Sequence, residues 1–129
     1  MSVGIYPKLE WAVTGVDPLA VDGKGLAAEY FDSLESEGTE SPFAPIGEMF
    51  SIDPEDAAGF AASEGVEVEP PPVRWHNAAA GVEAVKAVLK RLRAERAASR
   101  AIPDLEQIEK VLAAAQKEGV RFYLTCDMP

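Results

Sequence analysis

Cysteine and histidine are nearly absent from this sequence, which contains one of each, Cys126 and His76. A single cysteine cannot form an internal disulfide, so the fold does not depend on an oxidising compartment. One histidine and one cysteine are also too few ligands for a structural zinc site. The acidic run Asp53–Asp56 lacks the glycine and the distal glutamate of a calcium-binding loop. We therefore predict no bound metal.

Nucleotide-binding motifs are missing as well. The chain has no Gly-x-Gly-x-x-Gly fingerprint, and Gly23-Lys24-Gly25 lacks the upstream glycine that a phosphate-binding loop requires. Without these loops the backbone has no recognisable cradle for a pyrophosphate or a nucleotide. We therefore predict no cofactor.

Long apolar runs are absent too. No stretch approaches the roughly 18 consecutive apolar residues of a membrane-spanning helix. The first residues, Met1–Gly4, lack the basic flank and the apolar run of a signal peptide. The sequence therefore predicts a soluble, cytoplasmic protein that has no membrane partner.

Lysine and arginine are absent from residues 25 to 73, a segment that contains twelve acidic residues. These are Glu29, Asp32, Glu35, Glu37, Glu40, Glu48, Asp53, Glu55, Asp56, Glu64, Glu67 and Glu69. The formal net charge of −10 argues against nucleic acid as a partner, because such binding depends on neutralising phosphates. It permits a basic protein partner. Residues 74 to 100 carry seven basic residues against two acidic ones, so the two segments could instead attract each other within the domain.

The clearest structural pattern lies between Asn77 and the C-terminus. Asn77 is a good N-cap for a helix from Ala78 to about Ser99, and a second helix is predicted from Pro103 to Gly119. Matched apolar spacing on the two helices predicts an antiparallel hairpin. After Gly119 the period changes to two, which predicts a strand with one buried face. The residues expected on that face are Val120, Phe122, Leu124 and Cys126, with Arg121, Tyr123, Thr125 and Asp127 on the other.

The N-terminal half alternates between strand and helix patterns. Residues 3 to 13 read as a strand, and Pro7 within it predicts an edge position or a bend. Residues 25 to 36 read as a helix whose buried stripe is Leu26, Tyr30 and Leu34, with Ala27 and Phe31 beside it. Residues 37 to 52 are predicted to form a long ordered loop, which is a candidate site. Asp53–Asp56 opens a short helix that ends before Gly65, and brief strands follow at Val66–Val68 and Val73–Trp75.

These elements predict an α+β fold in one globular domain, residues 1–129. We expect a small, mostly antiparallel sheet of three to four strands. The antiparallel helical hairpin covers the sheet, and one or two shorter helices pack beside it. A length of 129 residues is enough to bury one core.

Catalytic constellations are weak. His76 and Cys126 each end a predicted strand, so they could approach one another, with Asp127 or Asp22 orienting the imidazole. No glycine-flanked nucleophile turn surrounds Cys126, and a small core residue explains it better. For Trp11 and Trp75 we favour core packing over a pocket lining. A small enzyme using His76 and Cys126, or a small-molecule-binding domain, is the alternative hypothesis.

The leading hypothesis is a non-catalytic protein-binding module. Small acidic bacterial immunity or inhibitor proteins have a similar composition, and the analogy rests on composition alone. Its predicted binding residues come from the acidic segment, including the loop within it, and from a surface pair of tyrosines: Glu35, Glu37, Glu40, Phe43, Glu48, Tyr6 and Tyr123. The expected state is a monomer, or a homodimer if Val88 and Val111 stay exposed along the hairpin.

Overall fold

The computed structural model describes residues 4–51 and 73–127, which form two strands and four α-helices. The elements in chain order are β1 Gly4–Leu9, α1 Lys24–Glu37, α2 Ala44–Gly47, α3 Ala78–Glu95, α4 Ala101–Glu118 and β2 Phe122–Asp127, with single 3₁₀ turns at Pro18–Ala20 and Gly38–Glu40. The α+β class is therefore confirmed. The helix predicted from Asp53 and the strand predicted at Val66–Val68 lie outside the described residues.

The two strands pair antiparallel, and Pro7 of β1 lies opposite Leu124 of β2. Leu124 directs its backbone groups away from β1, since its N–H donates to Met49 and its carbonyl accepts from Ser51. The Pro7–Leu124 pair is thus a non-hydrogen-bonded one, and the missing N–H of Pro7 faces away from β2. Pro7 therefore costs the sheet no hydrogen bond, and among the described residues β1 lies at the edge of the sheet with β2 as its strand neighbour.

The sheet is smaller than the predicted three to four strands, because only β1 and β2 form a ladder within the described ranges. Val73–Trp75 is not a strand. The chain there makes a single bridge between His76 and Phe122 before Asn77 starts α3, so no room is left for a longer ladder. A second single bridge joins Phe50 to Leu124. The free edge of β2 is thus covered by two short segments instead of by one strand.

The helical hairpin matches its prediction closely. The Asn77 side chain accepts from the backbone N–H of Ala79 at 2.8 Å, and Gly119 ends α4 with a left-handed φ of 69°. The buried seam between α3 and α4 includes Val85, Leu89, Leu92, Leu105, Ile108 and Leu112. Val88 and Val111 are buried as well, so the apolar dimer seam that would use them is not available.

Strand β2 is buried on both faces, whereas the alternating pattern predicted one. Tyr123 and Thr125, expected on the polar face, retain only 1% and 5% of their exposure. The Trp75 ring packs against Tyr123 with a centroid distance of 5.0 Å. Side chains such as Trp75 therefore cover the face that was expected to meet water, while β1 and the two single bridges occupy the edges of β2.

Candidate functional site

Two carboxylates join α1 to α4. Each belongs to one of the two helices and accepts a hydrogen bond from a backbone N–H in the first turn of the other. Asp104, in the first turn of α4, accepts from the backbone N–H of Leu26 at 2.9 Å. Glu29, on α1, accepts from the backbone N–H of Ala101 at 2.8 Å and from the Ser99 hydroxyl at 2.5 Å. The first turn of a helix leaves N–H groups without intrahelical partners, and its dipole favours an anion there. Both acids therefore serve the fold.

Glu37, predicted as a binding residue, also makes internal contacts. Its carboxylate accepts from the Ser33 hydroxyl at 2.6 Å and forms an ion pair with Arg96, just beyond α3. The Ser33 hydrogen bond, helped by the Arg96 charge, holds the pKa of Glu37 below its ordinary value. Arg91 also donates to the backbone carbonyl of Glu40 at 2.9 Å. The C-terminal end of α1 is thus fastened to α3, and Glu37 belongs to that attachment.

Four other acidic residues between positions 32 and 48 face solvent. We call them the acidic surface: Asp32, Glu35, Glu40 and Glu48, all exposed. Within residues 4–51 and 73–127, none of their carboxylates makes a hydrogen bond or an ion pair. The acidic residues of the predicted binding set therefore fall into two groups. Glu37 makes contacts within the fold, whereas Glu35, Glu40 and Glu48 face solvent.

The outward flank of α1 also exposes two large apolar residues that the sequence pattern placed in or beside the core. Phe31 and Leu34 are each 44% exposed, while Ser33 is buried. The Ser33 hydroxyl lies 2.5 Å from that of Ser41, whose oxygen in turn accepts from the backbone N–H of Phe43. This polar contact fixes the rotation of the second half of α1. Leu34 consequently turns outward, and the predicted stripe through Leu34 is wrong.

Two predicted contact residues are buried and cannot form surface contacts. Phe43 has no exposure and packs edge-on against Tyr30, with the ring centroids 6.1 Å apart. Tyr123 is buried in the central strand. In the ladder Tyr6 lies opposite Thr125 and Tyr123 lies opposite Lys8, so the two tyrosines are diagonal neighbours and do not lie directly opposite each other.

Trp11 is the most exposed large apolar residue that the structure describes, at 58%. Its predicted core position is therefore wrong. The strand pattern ends at Leu9, and the neighbouring Glu10 is held by an ion pair with Arg121 at the end of the sheet. The alternation of residues 3 to 13 therefore fails at Trp11, although Val13 beyond it is buried. Trp75, in contrast, is half-buried against Tyr123, as core packing requires.

His76 and Cys126 are not brought together. His76 bridges to Phe122, and Cys126 lies four residues further along β2. At about 3.3 Å per residue, the backbones are separated by about 13 Å along the strand, which is too far for a thiol–imidazole hydrogen bond. Burial also raises the pKa of the Cys126 thiol, which disfavours the nucleophilic thiolate. Among the described residues, no group of three potential ligands could hold a metal ion.

The His76 side chain has an unusual environment of its own. Its Nε2 is buried and has no hydrogen-bond partner in the part of the chain that the structure describes. Burial lowers the pKa of His76, and the nearby Arg74 charge lowers it further, while Glu48 acts in the opposite direction. The folded protein therefore favours the neutral imidazole.

We expect this depressed pKa to make stability depend on pH in a defined window. The unfolded chain protonates His76 near its ordinary pKa of about 6.5, and the folded chain does so only at lower pH. The contribution is therefore complete above about pH 6.5 and is lost as the pH falls through the folded pKa. Urea unfolding of wild type and His76→Gln across this window measures it. The variant should lose less stability on acidification, and equal losses in both proteins would contradict the assignment.

No helix within the described ranges is long and apolar enough to cross a bilayer. Comparison with protein families, with curated proteins and with solved structures finds no match to this chain. A functional assignment therefore depends on the geometry described above.

Proposed function

We propose that this chain is a non-catalytic protein-binding module that receives a basic partner on its acidic surface. One observation carries the proposal. The four carboxylates of the acidic surface are exposed and form no ion pair within the described structure, whereas Glu29 and Glu37 of the same segment are used inside the fold. Exposed like charges without internal partners favour an oppositely charged partner.

The position of Glu35 supports a role outside folding. It lies in the last turn of α1, a turn that contains no basic residue. The C-terminal end of a helix carries partial negative charge, so an acid there costs about 0.3–1 kcal/mol instead of stabilising the helix. Asp32, three residues earlier on the same helix, adds like-charge repulsion. These residues make α1 less stable, which is consistent with a selected binding role.

The proposal predicts that reversing three charges abolishes partner capture without unfolding the protein. The variant combines Glu35→Lys, Glu40→Lys and Glu48→Lys, and it leaves Glu37 in place because Glu37 holds Arg96. Wild type and variant are immobilised and exposed to a lysate of the source organism. A protein retained by wild type should be absent from the variant, and its retention by wild type should weaken as salt is added.

The matched control reverses three acids elsewhere, Glu83→Lys, Glu109→Lys and Glu118→Lys, all on the helical hairpin. Three changes of two charges each bring both variants from −10 to −4, so they differ only in where the charge lies. The control should capture the same protein as wild type. Equal loss in both variants would indicate a general charge effect, and retention by the first variant would exclude the acidic surface as the interface.

A further inference from the structure

The outward flank of α1 combines apolar and acidic side chains in a single patch. Phe31 and Leu34 are three residues apart on one helix, so their side chains are neighbours. Glu35 lies four residues after Phe31 and three after Asp32, so the exposed carboxylates of Asp32 and Glu35 form a row along one side of Phe31. Apart from Trp11, Phe31 and Leu34 are the only large hydrophobic residues that the described chain exposes. The patch is thus a small apolar centre with acidic residues along one side.

The burial of side chains in this patch is the reverse of what packing of an amphipathic helix produces, since apolar residues are normally buried and polar ones exposed. A serine is buried at position 33 while a leucine and a phenylalanine of the same helix face water. Partial exposure of scattered hydrophobic residues is ordinary, but a buried polar residue beside exposed large apolar ones is informative. The rotation of α1 is fixed by the Ser33–Ser41 contact and by the attachments of Glu29 and Glu37. The fold therefore holds the apolar centre outward by specific contacts.

We propose that this flank of α1 binds a basic amphipathic helix of the partner protein. An apolar side chain of that helix packs between Phe31 and Leu34, and its lysine or arginine residues face Asp32 and Glu35. This inference rests on the proposed function and specifies the chemistry of the partner. It follows from charge complementarity around an apolar anchor, the arrangement by which grooves and helix faces take up amphipathic helices.

The shape of the patch favours a helix over an extended peptide. Strand addition requires free backbone N–H and C=O groups at a sheet edge, whereas α1 uses its backbone groups within the helix. Side chains on a helix surface instead form ridges that fit the grooves of a second helix. A second copy of this chain is disfavoured, because two α1 flanks packed together would place Asp32 and Glu35 against the same acids.

The test uses a synthetic amphipathic peptide of leucine and lysine, with leucine at the i, i+3, i+4, i+7 spacing of a helix face. Its binding is measured by calorimetry, and its site by amide chemical shifts in NMR spectra. Two control peptides have the same leucine spacing with glutamate in place of lysine, or the same composition with the leucines scattered around the helix. Wild type should bind the first peptide at least about tenfold more tightly than either control, with the largest shift changes on α1.

The decisive variant is Phe31→Ser with Leu34→Ser, which removes the apolar centre and leaves every charge in place. We expect it to weaken binding of the leucine–lysine peptide at least about tenfold, while Trp11→Ser, at the other exposed apolar site, binds as wild type does. Thermal melts of all variants verify that they fold. Unchanged binding by the double-serine variant, or shift changes centred away from α1, would overturn the inference.

The same variants separate this inference from the proposed function. In one outcome, the variant with lysine at positions 35, 40 and 48 loses the lysate partner and the double-serine variant retains it fully. This result would support the acidic interface and overturn the docking of an amphipathic helix. Loss only in the double-serine variant would overturn both, because the partner would then bind without the acidic charges. Sedimentation could also show that wild type is a dimer and that the double-serine variant is a monomer. That result would identify a second copy of this chain as the occupant and would overturn the inference.

Discussion

Replacing Asp104 with alanine is expected to lower the free energy of unfolding by about 3 kcal/mol. Asp104 is 7% exposed, and its carboxylate accepts from the backbone N–H of Leu26. Gly23, the residue at the N-cap of α1, makes no side-chain cap, so Asp104 supplies that function from another helix. Alanine would leave a buried N–H without a partner and would remove a negative charge from the positive end of the α1 dipole. Urea unfolding measures the loss.

Asparagine at the same position is the matched control. Asp104→Asn keeps an oxygen that can accept from Leu26 and removes only the charge, so it should cost about 1 kcal/mol. A double-mutant cycle with Glu29→Gln then tests whether the two attachments act together, since both occupy the junction of α1 with α4. Coupling of at least about 0.5 kcal/mol is expected. An alanine variant no less stable than the asparagine variant would show that the carboxylate does not cap α1.

These attachments link stability to the binding surface. The orientation of α1 is set at its start by Asp104 and at its end by Glu37, and together they determine which flank faces solvent. A variant that loosens either end should therefore change the exposure of Phe31 and Leu34 as well as the stability. The residues that hold the helix and those proposed to bind the partner are different, so mutations can separate the two roles.

The sequence predicted those parts of the fold that depend on local signals. The hairpin was recognisable because Asn77 caps α3 through its own side chain and Gly119 ends α4 within the same turn. The edge position of β1 followed from one proline. Each of these features involves residues close together in the chain, where helix caps and turn chemistry act.

The errors came from contacts between different elements, which the pattern within one element does not report. The periodicity of α1 favoured Leu34 as a core residue, but hydroxyl contact between Ser33 and Ser41 rotated it outward. Alternation in β2 predicted a polar face, but the Trp75 ring packs against that face and Tyr123 is buried. Local pattern reports amphipathicity, and it cannot report how many layers eventually cover an element.

The candidate site was predictable only as a charge distribution. The absence of lysine and arginine from residues 25 to 73 directed the prediction to Glu35, Glu40 and Glu48, which the structure exposes. The sequence could not show that Glu37 meets Arg96, because the two lie 59 positions apart. The exposed Phe31 was missed because its spacing beside Leu26 and Tyr30 matched an ordinary core stripe.

Replacing Gly23 with alanine is expected to be the most damaging single change of those considered, costing more than about 4 kcal/mol, which is exceptional for a point substitution. The Gly23 carbonyl accepts both from Ile5 of β1 at 3.1 Å and from Ala27 of α1 at 2.9 Å, so this residue joins the sheet to the helix. Its φ is 69°, and a Cβ would lie 2.0 Å from the carbonyl oxygen of Ile5. The atom in the way belongs to the backbone of a paired strand and cannot rotate aside. Either the turn or β1 must therefore move.

Gly119→Ala separates the two components of this cost. Gly119 has the same φ of 69°, but a Cβ there would have nothing within 4 Å. Alanine at position 119 should therefore lower the free energy of unfolding only by the left-handed backbone strain, about 1 kcal/mol. The steric cost at Gly23 is then the difference between the free energies of unfolding of the two variants, measured by thermal or urea unfolding. If the two variants were equally stable, the close approach of Gly23 to β1 would be wrong. If the Gly23 variant is less stable than the Gly119 variant by the expected amount, the junction between β1 and α1 is rigid, and the close approach of Gly23 to Ile5 determines where α1 begins.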